Sequence, residues 1–217
     1  FESAPLAPDY EFIFKGEEDN FKAGVEVLKK FASTVHLNVN ETVPSVFEKA
    51  TGVTVNKFSG PHPAGNVGVQ VHNIDPINKG EIIWYLEPQD VIAIARLFTE
   101  GKYDVSRVIS IAGPQIIKPR YYRSIAGESV SNLLLNNLKD GDNRIISGDI
   151  LTGQEIGTDG ALGFYHTDIT VIEEGNKQEF LGWILPGLDK FSTSGTFLSW
   201  LMPSKEFNLN ANMHGEE

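Results

Sequence analysis

Apolar residues recur along the first hundred positions in blocks that alternate between two periods. Short runs rich in β-branched and aromatic residues predict four strands, at residues 11–16, 34–39, 53–58 and 81–86. Between them, apolar residues at helical spacing predict helices at residues 20–33, 42–51 and 89–101, the last closed by Gly101. A strand–helix alternation of this kind indicates a parallel, doubly wound α/β sheet of Rossmann-like type.

The pattern changes near residue 105. From there the pattern predicts strands at residues 107–113 and 118–127, a helix at residues 128–138, and strands at residues 143–153 and 162–174. This order predicts a small α+β unit whose helix packs on one face of a sheet. We therefore predict a Rossmann-like α/β domain over residues 1–105, an α+β domain over residues 106–180 and an irregular tail over residues 181–217.

Composition and charge exclude several classes of function. The 217 residues carry 18 basic and 29 acidic side chains, a net charge of −11, which argues against nucleic acid and anionic membrane surfaces as partners. The absence of cysteine excludes disulfides, thiolate-held iron–sulfur clusters and a cysteine nucleophile from this chain. No run of about 18 apolar residues occurs, so no transmembrane segment is expected. The first residue is Phe1 rather than methionine, and we expect the chain to be a piece of a longer protein.

The stretch GPHPAGNVGVQVH, residues 60–72, is the first candidate for function. A glycine loop after a strand can hold a phosphate on its N–H groups. Here Gly60, Gly65 and Gly68 do not form the G-x-G-x-x-G fingerprint, and Pro61 and Pro63 remove two N–H donors. The sequence therefore favours a rigid turn that aims a helix, although its place at the end of a strand also suits a ligand or a partner.

Histidines make this stretch a candidate for other chemistry as well. His62, His72 and Asp75 are possible metal ligands, but their spacing fits no established site, so no metal site is predicted. A hydrolytic triad is equally disfavoured, because there is no G-x-S-x-G elbow and serines lie only loosely near His166. No catalytic residue is predicted. The loop residues that we expect to meet a ligand or partner are Gly60, His62, Gly65, Gly68 and His72.

A second candidate surface is the strand segment in which Arg120 and Arg123 flank two tyrosines. The plain interpretation is a solvated strand edge with part of a core. The sharper hypothesis is a docking patch made of Arg120, Tyr121 and Arg123.

Several long strings have a familiar order and spacing. GPHPAGNVGVQVHNIDP, WYLEPQDVIAIARLFTEG, RVISIAGPQIIKPR, NRIISGDILTG and GWILPGLDKFS resemble the A-subunit family of the bacterial sodium-translocating NADH:quinone oxidoreductase. The resemblance runs from about residue 11 to residue 193. It implies a Rossmann-like domain followed by a β-grasp domain of the soluble-ligand-binding (SLBB) kind. Members carry a further N-terminal and a further C-terminal part, so it also implies a central fragment.

The resemblance implies a function that no motif in these residues shows. Members of this family are peripheral subunits on the cytoplasmic side of the bacterial inner membrane, and the resemblance implies the same for this chain. Such a subunit is associated with the quinone end of the pump, docks chiefly on the membrane-embedded B subunit, and carries neither flavin nor iron–sulfur cluster. Ubiquinone or menaquinone would be a substrate of the whole complex, and the fragment alone would not be catalytic. The alternative is a soluble module whose Rossmann-like domain holds a nucleotide or another small ligand.

Overall fold

The computed structural model describes residues 1–42, 47, 50–175, 180–192, 194–208 and 210–211, and the backbone alone of residue 183. The first half of the chain forms α1 Tyr10–Ile13, α2 Glu18–Phe31, β1 His36–Asn40, β2 Thr54–Phe58, α3 Val67–Ile74 and α4 Pro88–Glu100. The second half forms β3 Ser106–Ala112, β4 Arg120–Ile125, α5 Val130–Leu134, β5 Asn143–Ser147, β6 Gln154–Glu155 and β7 Asp168–Glu173. Two 3-10 turns follow, at Gly182–Ile184 and Leu198–Leu201.

The first unit, which holds α1 to α4 with β1 and β2, contains a two-stranded parallel sheet. His36 begins β1 opposite Thr54 in β2. Helices α2 and α4 pack against each other at Gly24, where an ideal Cβ would lie only 2.3 Å from the carbonyl oxygen of Val91. The buried apolar residues of this unit form the first core: Ile13, Phe14, Phe21, Val25, Val39, Phe47, Val91 and Ile92.

The second unit, which holds β3 to β7 with α5, is a five-stranded sheet in the order β4-β3-β7-β5-β6. β3 and β7 run parallel, and the other neighbouring pairs are antiparallel. Helix α5 supplies Val130, Leu133 and Leu134 to the second core. The sheet and adjoining loops supply the rest of it: Ile109, Ile111, Ile116, Ile145, Leu162, Ile169 and Val171.

The two units are joined at the N-terminal end of α4 and the start of β3. The Gln89 side chain makes two hydrogen bonds of 2.8 Å with the backbone N–H and carbonyl of Val108. Asp90 accepts a 2.8 Å bond from the Arg107 guanidinium. Val108 and Tyr121 pack against the first core although they belong to the second sheet. The side chains of α4 thus fix the position of one sheet against the other unit.

The predicted α/β and α+β class is confirmed, and most predicted elements exist within a few residues. The helix predicted over 20–33 spans Glu18–Phe31. The helix predicted over 89–101 ends at Gly101, which adopts the left-handed conformation with φ of 67°. The second unit has the predicted order except that β6 adds a short strand between β5 and β7, and its helix, predicted over 128–138, spans only Val130–Leu134.

Two predicted strands are wrong. Residues 11–16 begin in helix α1, because Asp9 caps it by accepting bonds from the N–H groups of Glu11 and Phe12. The cap lets Tyr10, Ile13 and Phe14 pack together on the first core at helical spacing.

Residues 81–86 are the second error, since they form neither strand nor helix. They have no strand partner within the described part of the chain, so the parallel sheet has two strands there rather than four. The helix predicted over 42–51 falls largely outside the described residues, of which Phe47 belongs to the first core. None of the described helices is both long and apolar enough to cross a bilayer.

Candidate functional site

The loop from residue 60 to residue 66 forms a tight turn between β2 and α3, as the sequence predicts. Within it, the Ala64 N–H donates to the Pro61 carbonyl and the Asn66 N–H to the Pro63 carbonyl, at 3.0 and 2.9 Å. The Gly65 N–H donates to Ser3 Oγ at 2.7 Å. Three amides that a phosphate cradle would use are therefore already bonded within the protein.

The side chain of Gln70 holds this loop in place. Its side chain is buried and donates 2.9 and 3.0 Å bonds to the carbonyls of Gly65 and Phe1. It also accepts a 2.8 Å bond from Asn38 Nδ2 in β1. The loop, the start of the chain and the first sheet are thus held together by one amide side chain.

Gly65 is required by a close approach and not by its backbone conformation. It lies outside the positive-φ region, in which Gly60 has a φ of 130°. A Cβ on Gly65 would lie 2.3 Å from the Ser3 nitrogen. Steric exclusion of a side chain is therefore the reason that this position requires glycine.

We predict that Gly65→Val lowers the unfolding free energy by roughly 1–3 kcal/mol, because the side chain would collide with the Ser3 backbone. Gly68→Val is the matched control, since no atom lies within 4 Å of a Cβ at Gly68. Urea denaturation of both variants measures the difference. Equal stabilities would show that the loop does not pack tightly on Ser3.

His62 lies at the tip of this loop and is half-buried. Its Nδ1 is 3.2 Å from Ser3 Oγ. Because that hydroxyl accepts the Gly65 N–H, its own hydrogen is free to be donated to His62 Nδ1. Burial raises the pKa of Asp149, but bonds from Thr152 and the Leu151 N–H, together with the nearby His62, hold it below its ordinary value.

The second unit supplies a histidine to the same region. His166 Nδ1 is 2.7 Å from Ser147 Oγ. Ser147 is 1% exposed and accepts a 2.9 Å bond from the Gly163 N–H, so its hydroxyl hydrogen points at His166. The proton of a neutral His166 ring is then on Nε2. Burial lowers the His166 pKa, and the charge of Asp149 opposes that effect.

Burial, together with carboxylates from both units, raises the pKa of Asp168. Burial raises the pKa of Asp168 to about 7, and the charges of Asp149, Glu2 and Glu87 add to the effect. Burial also raises the pKa of Glu87, although its bond from the Tyr10 hydroxyl, at 3.2 Å, acts in the other direction.

Each of these groups changes the pKa of another or has its own pKa changed by one, and they come from both units. We call them the inter-unit cluster: Glu2, His62, Glu87, Asp149, His166 and Asp168. Among the described residues, no group of three or more histidine or acidic side chains is arranged to hold a metal ion. Proton binding near neutral pH and hydrogen bonding to a polar ligand are the chemistry that such a cluster supports.

The structure brings only part of the predicted loop to this cluster. His62 belongs to it, and Gly60 and Gly65 shape the turn that carries it. Gly68 and His72 are exposed on α3. The ligand or partner role of this loop stays a prediction.

The predicted docking patch divides between two roles. The Tyr121 hydroxyl accepts the Asp9 N–H at 2.7 Å, and its ring stacks on Phe12 at 4.7 Å, so Tyr121 joins the two units. Arg120 and Arg123 are exposed, with Arg120 lying 5.7 Å from the ring of Tyr122. A docking role for the two arginines stays a prediction.

Sequence reasoning missed most of the inter-unit cluster. Asp149 and Asp168 lie in segments predicted as strands, and the antiparallel pairing of β5 with β7 is what brings Ser147 near His166. Two short polar strings, SGD at the end of β5 and HTD at the start of β7, are the signal that the sequence offers for them.

Comparison with known proteins identifies both units. Residues 1–103 match the family model described as the NqrA second alpha/beta domain, and residues 108–157 match the model of the NQRA C-terminal domain, named for SLBB. The first range covers the elements of the first unit. The second begins within β3, covers β4 to β6 of the second unit and ends before β7.

Curated relatives agree with the family models. The chain is 42% identical to the A subunit of the Na(+)-translocating NADH-quinone reductase of Pasteurella multocida (strain Pm70), over 98% of this chain and 48% of the relative. It is 40% identical to that of Yersinia pestis bv. Antiqua (strain Angola), over 100% of this chain and 49% of the relative. It thus spans about half the length of the curated relatives it matches. The chain belongs to the NqrA family, that of the A subunit of the Na(+)-translocating NADH-quinone reductase.

Proposed function

We propose that this chain is the central part of the peripheral A subunit in a sodium-pumping NADH:quinone oxidoreductase. In this role it contributes to quinone reduction and docks on other subunits of the complex at the cytoplasmic side of the bacterial inner membrane. Its chief partner there is the membrane-embedded B subunit, and it works without a flavin or iron–sulfur cluster of its own. The observation that carries the proposal is the inter-unit cluster, whose residues come from both units of the structure.

The chemistry of the cluster suits the quinone end of such a complex. Reduction of a quinone to a quinol takes up two electrons and two protons, and the electrons come from cofactors elsewhere in the complex. Asp168 has a pKa of about 7, so its carboxyl binds and releases a proton near neutral pH. His62 and His166 add imidazoles that can donate hydrogen bonds to a quinone carbonyl.

We expect His62→Ala to lower the sodium-dependent quinone reductase activity of the complete complex by at least about tenfold. NADH oxidation with an artificial acceptor, which does not use the quinone end, should be unchanged. The stability of the chain should stay within about 1 kcal/mol, since His62 is only half-buried.

Asn73→Ala is the control variant for this experiment, because Asn73 is exposed on α3 and lies outside the inter-unit cluster. It should leave both activities unchanged. A loss of quinone reductase activity in His62→Ala that follows a loss of stability alone would show that the loop is structural, and the proposal would fail.

The alternative, nucleotide binding by the glycine-rich loop, has less support. Two of its residues are prolines and three of its amides are bonded inside the protein, so few N–H donors are left for a phosphate. We therefore predict that calorimetric titration of the protein with NADH or FMN shows no micromolar binding. A bound flavin that survives gel filtration would support the alternative.

A further inference from the structure

Residues 81–86, EIIWYL, form an exposed apolar segment that no described element covers. Ile82 is 81% exposed and Trp84 90% exposed. An unbroken apolar run is typical of a parallel strand that is covered on both faces. The sequence of segment 81–86 is thus typical of a strand whose two faces are covered, while the segment itself is exposed like a surface loop.

The sheet of the first unit has a free edge within the described part of the chain. Val35 O accepts the Thr54 N–H and the Glu41 N–H donates to Phe58 O, both at 2.9 Å, so the odd-numbered residues of β1 face β2. Because successive residues of a strand direct their backbone groups to opposite sides, the even-numbered residues face the other way. On that side the backbone of β1 meets the start of the chain, where the Phe1 nitrogen donates to Asn38 O at 2.8 Å.

Phe1 lies against this edge of β1. Gln70 binds the Phe1 carbonyl, and the Phe1 ring stacks on Phe58 at the end of β2 at 6.5 Å. Burial lowers the pKa of the Phe1 amine, and the charges of Glu2 and Glu87 oppose it, so Glu87 lies near the Phe1 nitrogen. Glu87 directly follows segment 81–86.

We propose that, in the complete protein, the stretch of polypeptide directly before Phe1 forms a strand between β1 and segment 81–86, parallel to both. The parallel sheet would then have four strands, in the order β2, β1, the added strand and segment 81–86. This goes beyond the proposed function, since it concerns how the protein is assembled.

Three further observations support this occupant. The chain spans about half the length of its curated relatives, so polypeptide is available outside these residues. The added strand would lead through α2 into its neighbour β1, which is the ordinary parallel crossover connection. In the resulting strand order the fourth strand along the chain, segment 81–86, lies beside the first, which is the order of doubly wound sheets.

Hydrogen exchange on the full-length protein tests the pairing. Alternate amides of residues 82–86, those that face the added strand, should exchange at least about 100-fold more slowly than the amides of the neighbouring exposed residues 78–80, because ladder hydrogen bonds protect them. Equal exchange in the two segments would overturn the proposal.

Photo-crosslinking identifies the occupant. The full-length protein, within its complex, would carry p-benzoylphenylalanine in place of Trp84, with the same substitution at the exposed Phe31 as a control. We expect the adduct at position 84 to map to the stretch directly before Phe1 of the same chain, and the control not to reach that stretch. An adduct with a second copy or with another protein of the complex would overturn the proposal. Failure here would leave the quinone reductase result of His62→Ala unaffected, so the two proposals are tested separately.

Discussion

Gly24→Ala should lower the unfolding free energy by roughly 3 kcal/mol, although alanine is the better helix former. The reason is the contact between α2 and α4. A Cβ on Gly24 would lie 2.3 Å from the carbonyl oxygen and 2.6 Å from Cγ1 of Val91. Relief requires α4 to move, and Gln89 and Asp90 of the same helix hold the second unit.

Gly68→Ala is the matched control, because Gly68 is also helical and a Cβ there meets no atom within 4 Å. There the higher helix propensity of alanine should act alone and raise stability by up to about 1 kcal/mol. Urea denaturation of both variants gives the comparison. If Gly24→Ala is as stable as Gly68→Ala, the close packing of α2 on α4 is wrong.

Asp168→Asn should change how stability depends on pH. The folded-state pKa of Asp168, about 7, lies above its ordinary value of 3.8. The stability contributed by the protonated carboxyl is therefore present below about pH 4 and is lost as pH rises towards 7. An asparagine stays neutral, so the variant should match the wild type at pH 4 and exceed it by up to about 4 kcal/mol at pH 8, the free energy that corresponds to this pKa shift.

Thermal and urea unfolding from pH 4 to pH 8 measure this difference. Because His166 is present in both proteins, its opposite contribution to the pH dependence of stability cancels in the comparison. The stability of the control variant Asp159→Asn, at an exposed turn, should depend on pH in the same way as that of the wild type. A variant of Asp168 that is less stable than the wild type at pH 8 would show that the carboxylate is stabilised in the fold, against our account.

Local patterns predicted the second unit well and the first unit only in part. β3 and β7 are inner strands of the sheet and are buried along most of their length, and the apolar, β-branched runs that this requires are a local signal. The string EFIF also alternates, but the Asp9 cap and the packing of Phe14 on Phe21 and Phe47 make it helical. Segment 81–86 has the composition of a strand and lacks the neighbour that would make it one, which sequence alone cannot reveal.

Of the residues in the inter-unit cluster, only His62 could be predicted from the sequence. His62 stood out because two prolines fix its backbone. Asp149 and Asp168 carry no such local mark, and their importance arises from tertiary burial and from Glu2 and Glu87, which come from distant parts of the chain.

The central claim is that residues from both units act as one site in quinone reduction. A double-mutant cycle of His62→Ala and Asp149→Asn in the complete complex tests it most directly, because the asparagine can still accept the Leu151 and Thr152 N–H bonds. We predict that each single variant lowers sodium-dependent quinone reductase activity. The activity of the double variant should be little lower than that of the less active single variant. Losses that multiply in full, or an equal fall in NADH oxidation with an artificial acceptor, would contradict the account.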